Sequence, residues 1–259
     1  METKYSIIVA TRNEECGIAK VLCSIPEQIE KEAEIIVVDS SSDLTPVIAE
    51  RLGAKVIREP KRGKGRAMKL GAKKSKGEVL IFLDGDGTDP PQYIPELIRK
   101  LDEYDLVLGS RVAKNFKQDS RLYRAYFLPY QLFVGTLFRD IVGFKISGDP
   151  LAGFRAIKRE NWDKLNLESD GFEIEAEMDV KSLELGFRVG EVPIPLIKRA
   201  GGILKSKLVR SPRMQLRIFD VALRYVEEEK IKANLKKFRE EFEESVLGHK
   251  PDSSASSPD

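Results

Sequence analysis

Short apolar runs that alternate with helical patterns constrain this chain more than any other feature. Tyr5–Ala10, Glu34–Asp39, Ala54–Ile57, Glu78–Asp84 and Asp105–Gly109 read as strands. Between them, Glu14–Ile25, Pro46–Leu52, Lys64–Lys76 and Tyr93–Glu103 carry helical spacing, and Thr45 offers a cap ahead of Pro46 at the first helical position. Alternation at this pitch predicts an α/β fold with a mainly parallel sheet flanked by helices. Ligands of such sheets bind beyond the carboxyl ends of the strands. The polar clusters fall there: Thr11-Arg12-Asn13-Glu14 after the first strand, Asp39 to Asp43 after the second, Asp84 and Asp86 after the fourth. Their convergence on one rim is the site expected from topology alone.

Composition narrows the partners. The 259 residues allow one large domain, or one with an appendage, and an apolar share of 41% suffices for a core. A net charge of +2 implies no polyelectrolyte partner, so nucleic acid is not expected. Cys16 and Cys23 fall on one predicted helix about two turns apart, too far for a bridge, and read as thiols of a reducing cytosol. Met1-Glu2-Thr3-Lys4 leads straight into a strand, so no signal peptide is expected. No run reaches the roughly 18 apolar residues of a membrane span, and the expected location is cytoplasmic.

The apolar run Val79-Leu80-Ile81-Phe82 ends in Leu83-Asp84-Gly85-Asp86-Gly87-Thr88. Two carboxylates at i, i+2 on a glycine turn repel, and no Lys or Arg adjoins them in sequence. A hard divalent cation, Mg²⁺ or Mn²⁺, would relieve the conflict and present positive charge to a phosphate-bearing substrate. An ordinary Asp-Gly turn is the plainer reading. A calcium loop is excluded, because its sixth position is Asp89 rather than Gly and its twelfth is Pro95 rather than Glu. The same residues resemble the nucleophile motif of haloacid-dehalogenase-type phosphatases, although that motif normally opens a chain. Gly63-Lys64-Gly65-Arg66 lacks P-loop spacing and reads either as a basic helix start or as a loop that approaches a diphosphate at a helix amino end.

The second half differs in character. Leu122 to Phe144 is aromatic-rich and helical in pattern; Gly153 to Ile157 reads as strand or turn, Phe172–Leu185 as a helix and Phe187–Ile194 as a last strand. Lys198 to Arg217 holds many basic residues and no acid, and Leu216 to Leu247 reads as one long charged helix. Gly248 to Asp259 is Ser/Pro/Asp-rich and is expected to be disordered.

Taken in order, Ser6 to Glu14, Val37-Val38-Asp39-Ser40-Ser41-Ser42-Asp43, Gly63-Lys64-Gly65 and Asp84-Gly85-Asp86 resemble family 2 glycosyltransferases of the GT-A fold. Leu108-Gly109-Ser110-Arg111, Asp149 to Arg155, Gly190 to Ile194 and Lys205 to Leu208 resemble the branch of dolichyl- or polyprenyl-phosphate mannose or glucose synthases. The resemblance covers roughly residues 4 to 215. It implies a Rossmann-like domain over 1–210, with a nucleotide-sugar half (1–110) and an acceptor half (111–210), before a helix over 211–247 and a tail over 248–259. It implies that Ala10, Arg12, Glu14, Asp39 and Asp43 hold the nucleotide, with Lys64, Asp84 and Gly85 at the donor sugar and diphosphate. Asp86 would ligate the metal, with Thr88 (where the branch often carries Gln) or Asp89 completing the shell. Arg111, Arg121, Arg199 and Lys205 would gather the acceptor phosphate, a task that suits the planar donors of arginine.

The implied reaction transfers a hexose from GDP- or UDP-hexose to a polyprenyl or dolichyl phosphate by direct displacement at the anomeric carbon, with inversion. Asp84, Asp86 and Arg111 are its implied catalytic residues. A phosphate nucleophile is already ionised and needs no strong base; Glu175 and Glu177 are candidate bases should the acceptor be a hydroxyl, or else a solvated helix face. The alternatives are a small soluble phosphorylated acceptor and a phosphatase. A lipid acceptor would be met at a membrane surface, for which Tyr123–Phe144 and the basic stretch Lys198–Arg217 are candidate contacts, against a core helix and a phosphate loop.

Overall fold

The computed structural model describes residues 3–111, 134, 136–144, 149–202, 211–224 and 228–247. The expected alternation is present: β1 (Tyr5–Thr11), α1 (Ile18–Cys23), α2 (Glu27–Glu30), β2 (Ala33–Asp39), α3 (Thr45–Arg51), β3 (Lys55–Arg58), α4 (Lys64–Lys74), β4 (Val79–Asp84), α5 (Ile94–Lys100) and β5 (Leu106–Arg111). A π-helical segment (Thr136–Val142), β6 (Arg155–Lys158), α6 (Arg159–Leu165), α7 (Ile174–Glu184), β7 (Val189–Ile194), α8 (Pro212–Arg224) and α9 (Glu228–Leu247) follow.

The described strands form one sheet in the order β3-β2-β1-β4-β6-β5-β7. All pairings are parallel except those of β6, which runs antiparallel between β4 and β5 with Arg155 opposite both Phe82 and Leu108. Because β6 starts where its neighbours end, the residues just before it lie on the same rim as the carboxyl ends of β1, β2 and β4. Register brings those ends level: Thr11 faces Asp39, and Ala10 faces Asp84.

Strand residues alternate between two cores. Ile8, Leu80, Phe82, Leu106, Leu108 and Ile157 pack with Met68 of α4 and Met178 of α7, while Ile7, Val9, Ile81, Leu83 and Val107 pack with Val21 of α1 and Leu97 of α5. Burial on both faces explains why these strands read as continuous apolar runs.

Several elements depart from expectation. The first helix begins only at Ile18, because Asn13 adopts a left-handed conformation (φ 56°) and residues 14–17 form turns. α2 and α6 are short helices whose apolar spacing falls below a readable period. Where a helix over Leu216–Leu247 was expected, helix already begins at Pro212, and α8 and α9 are described on either side of residues 225–227, which lie outside the described residues. Within the aromatic stretch, Leu137, Phe138, Val142 and Phe144 are buried in the core, with Phe138 and Phe144 edge to face at 6.3 Å. That part is therefore not a membrane contact; Tyr123 to Phe133 lie outside the described residues. Cys16 and Cys23 are free and exposed. No helix among the described residues is long and apolar enough to cross a membrane.

Gly71 seats α4 on the sheet: a Cβ there would lie 2.4 Å from Ile8 Cγ2. Alanine would gain about 1 kcal/mol of helix propensity, but overpacking a core against a β-branched neighbour costs about 1–3 kcal/mol. Gly71→Ala is expected to lower Tm by about 2–4 °C in a thermal melt; a higher Tm would contradict the tight seat.

Candidate active site

Asp39 is the most heavily hydrogen-bonded carboxylate of the rim. It is 1% exposed and accepts from Thr11 Oγ1 (2.8 Å), Ser41 N (3.0 Å) and Ser41 Oγ (2.5 Å), and it pairs with Arg58. Arg58 Nη2 also donates to Ser41 O at 2.8 Å. The Asn13 turn is tied to the same loop through Ser41 and Ser42. Asp43 serves the loop itself, accepting from Thr45 N and Oγ1 at the start of α3 (3.0 and 2.5 Å). Ala10 and Arg12 flank this cluster, half-buried.

Beside it, the turn after β4 gathers three carboxylates. Thr88 donates to Asp86 Oδ1 from N (3.0 Å) and Oγ1 (2.6 Å), while Asp89 Oδ2 accepts the Asp84 amide at 2.8 Å. Burial, reinforced by the negative charges of Asp84 and Asp86, pushes Asp89 up to about 7. Gly85 has no room for a side chain, since a Cβ would lie 2.6 Å from Thr11 Cγ2. Arg199 reaches across the rim, pairing with Asp86 and with Glu14 Oε1 (2.5 Å). Its Nε is buried without a hydrogen-bond partner among the described residues, a donor left over for an anion.

Lys64, the first residue of α4, lies between Asp84 Oδ1 (2.6 Å) and Glu175 Oε1 (2.5 Å). Burial alone would lower the ammonium's affinity for its proton, but the two carboxylates hold Lys64 well above its usual range. Burial alone would likewise raise Asp84, and Lys64, helped by Arg111 and Arg199, holds it below the carboxylate range. The helix end is not open to a phosphate, as the Gly63-Lys64-Gly65 reading had allowed. Gly65 N and Arg66 N donate to Gly171 O (3.0 Å) and Asp170 O (3.1 Å). A Cβ on Gly65 would meet Ser169 O at 2.3 Å, so the glycine is there for close packing of backbone on backbone.

The helix α7 corrects a second expectation. Glu175 and Glu177 do not form a solvated face; they are 3% and 1% exposed. Glu177 accepts the amides of Glu168 (2.9 Å) and Ser169 (2.8 Å) and pairs with Lys181, which holds the loop that docks on α4. Glu175 alone of the two reaches the site. One turn on, Asp179 pairs with Arg155 at 2.5 Å, both side chains wholly buried. Arg155 also donates to the carbonyls of Ala152 (2.7 Å), Pro150 (2.6 Å) and Glu175 (3.3 Å).

Arg111 ends β5 on the same rim and donates from Nε to Asp149 Oδ2 at 2.8 Å; Asp149 is 1% exposed. The structure thus brings together Ala10, Arg12, Glu14, Asp39, Lys64, Asp84, Gly85, Asp86, Thr88, Arg111 and Arg199, with Asp43 behind them in the loop. Arg121 and Lys205 lie outside the described residues. Arg58 and Asp179 were not anticipated, and Asp149 was noted only as part of a motif, with no role. Arg58 could have been, since it ends β3 at the same edge; the other two have meaning only through distant partners.

The donor set suits a hard cation held jointly with a ligand. Among the described residues no group of three or more His, Cys, Asp or Glu side chains could hold a metal. A single carboxylate, Asp86, with the Thr88 hydroxyl beside it, would form the kind of partial shell that Mg²⁺ or Mn²⁺ completes with phosphate oxygens and water, provided the cation takes the place of Arg199 at Asp86 Oδ2.

Residues 6–165 match the family model described as glycosyl transferase family 2. The chain belongs to that family. It is similar to a dolichyl-phosphate hexose transferase of Haloferax volcanii, 32% identical over 198 residues, covering 76% of this chain and 84% of the relative. A dolichol-phosphate mannosyltransferase of Pyrococcus furiosus is 32% identical over 217 residues, covering 79% of this chain but only 59% of that protein. Among solved structures, glucosyl-3-phosphoglycerate synthase from Mycobacterium tuberculosis, in complex with Mn²⁺, UDP-glucose and phosphoglyceric acid, superposes with a TM-score of 0.65 at 22% identity, covering 86% of this chain and 79% of that one. That likeness establishes the fold of this glycosyltransferase.

Because Arg155 is buried with its charge, its loss would strand Asp179. Arg155→Met is expected to lower unfolding free energy by about 3–5 kcal/mol in urea denaturation. Adding Asp179→Leu should recover more than half of that loss; no recovery would mean that the carbonyl contacts of Arg155, not its ion pair, carry the stability.

Proposed function

We propose that this glycosyltransferase moves a hexose from a nucleotide sugar to a polyprenyl or dolichyl phosphate, with inversion and with Mg²⁺ or Mn²⁺ as cofactor. The observation that carries the reading is the pairing of opposite charges on one rim. Asp84, Asp86 and Asp89 stand against Lys64, Arg111 and Arg199, an arrangement that can face an anionic donor and an anionic acceptor together. The dolichyl-phosphate relatives support the choice of acceptor.

Asp39 and Arg12, with the Ala10 backbone, would hold the nucleoside, and Asp84 would hold the donor sugar. Asp86 and Thr88 would hold the cation, which when bound offsets the charge that develops on the leaving diphosphate. Arg199, with its spare Nε–H, would add to that charge compensation. Arg111, oriented by Asp149, would aim the acceptor phosphate at the anomeric carbon, where holding two anions in line is the main task. The nucleophile is ionised at neutral pH, so no side chain need remove a proton from it. A lipid acceptor would be met at the membrane surface.

The test incubates the protein with UDP- and GDP-hexoses, Mg²⁺ or Mn²⁺, and either a short polyprenyl phosphate or 3-phosphoglycerate, with products read by mass. A hexosyl polyprenyl phosphate is expected. Transfer to phosphoglycerate alone would overturn the lipid acceptor, and orthophosphate release without sugar transfer would favour a phosphatase. In the same assay Asp86→Ala should cut turnover by about 10²–10³ or more with an unchanged circular-dichroism spectrum; near-normal turnover would refute its role at the diphosphate.

A further inference from the structure

An ammonium group has three N–H donors. Lys64 spends two of them, on Asp84 Oδ1 and Glu175 Oε1, with its side chain 9% exposed and Nζ 5.8 Å from the centre of the Phe172 ring. The pair lies directly under Gly153, where a Cβ would meet Lys64 Nζ at 2.7 Å and Asp84 Oδ2 at 2.8 Å. Lys64 approaches Asp84 most closely at Oδ1, and Oδ2 is the oxygen that lies against Gly153. Glu175 itself is fixed from behind, since Arg155 holds its carbonyl and pairs with Asp179 one turn along α7. Without a second carboxylate, a buried ammonium would close on both oxygens of Asp84. With one, it is drawn aside and shared.

We propose that Glu175 is a positioning residue for donor binding, which pulls Lys64 off Asp84 so that Asp84 Oδ2 and the third Lys64 N–H face the cleft. It acts through Lys64 and removes no proton from an acceptor. The inference rests on the nucleotide-sugar reading given above. It adds that α7, from the second half of the chain, sets the geometry of the donor half.

The test is a double-mutant cycle on donor affinity, measured by calorimetry with UDP-glucose and GDP-mannose in the presence of Mn²⁺, beside steady-state kinetics. Glu175→Asp keeps the charge and withdraws the carboxylate by one methylene. It should weaken donor binding about tenfold. Lys64→Met should weaken it about 10- to 100-fold, the loss of a hydrogen bond to a charged group. In the Lys64→Met background, Glu175→Asp should have no further effect on Kd, as expected of two groups acting as one unit. Glu175→Gln, nearly isosteric, repeats the cycle should the aspartate variant melt early. Equal effects in both backgrounds would overturn the proposal, as would a fall in kcat with unchanged donor Kd, the mark of a base. If the wild-type protein binds neither nucleotide sugar, the functional reading fails and the proposal with it, and that failure shows before any variant is made.

Discussion

One guanidinium joins the two halves of the rim. Arg155 sits at the start of the antiparallel strand β6, wholly buried, and its five N–H groups go to Asp179 and to the carbonyls of Pro150, Ala152 and Glu175. Through Pro150 and Ala152 it shapes the segment that carries Asp149, and Asp149 orients Arg111. Through Glu175 and Asp179 it anchors α7, and Glu175 reaches Lys64 and Asp84. Burying an arginine is costly unless its hydrogen bonds are made. Here they are made to groups that must themselves stay put.

The fold depends on β6 in the same way. A parallel strand at that place would have delivered its leading residues to the opposite edge of the sheet. An antiparallel one begins at the rim, so Gly153 lies beside Asp84 just before the strand starts. The chain thereby supplies the rim from six strands, β1 to β6, without a long loop in the first half.

Much of this was legible in the sequence, and the reason is local. Glu14, Asp39, Asp84, Asp86 and Arg111 each follow an apolar run closely, and polar residues at the ends of buried strands have few other places to be. The family resemblance located Lys64 and Arg199. What could not be read were pairings between remote elements: Arg155 with Asp179, Lys64 with Glu175, Arg111 with Asp149. Periodicity follows apolar faces, so the carboxylates of α7 read as a solvent face when in fact they are buried and satisfied by cations and amides. For the Gly63-Lys64-Gly65 turn, which could be read as a plain helix start or as a diphosphate loop, the structure favours the helix start. Its glycines invite an anion in sequence, whereas in space they admit the backbone of residues 169–171.

The Asp39 carboxylate has a further consequence. A carboxylate offers about four lone-pair sites, and Thr11, Ser41 through two groups, and Arg58 already fill them. Any ligand that hydrogen-bonds Asp39 therefore arrives by exchange, and the net gain is the difference between two partners rather than a whole bond. A saturated acceptor of this kind gives little affinity but discriminates sharply, because a ligand unable to replace the displaced donor leaves a buried oxygen bare. The end of β2 is built to reject more than to attract.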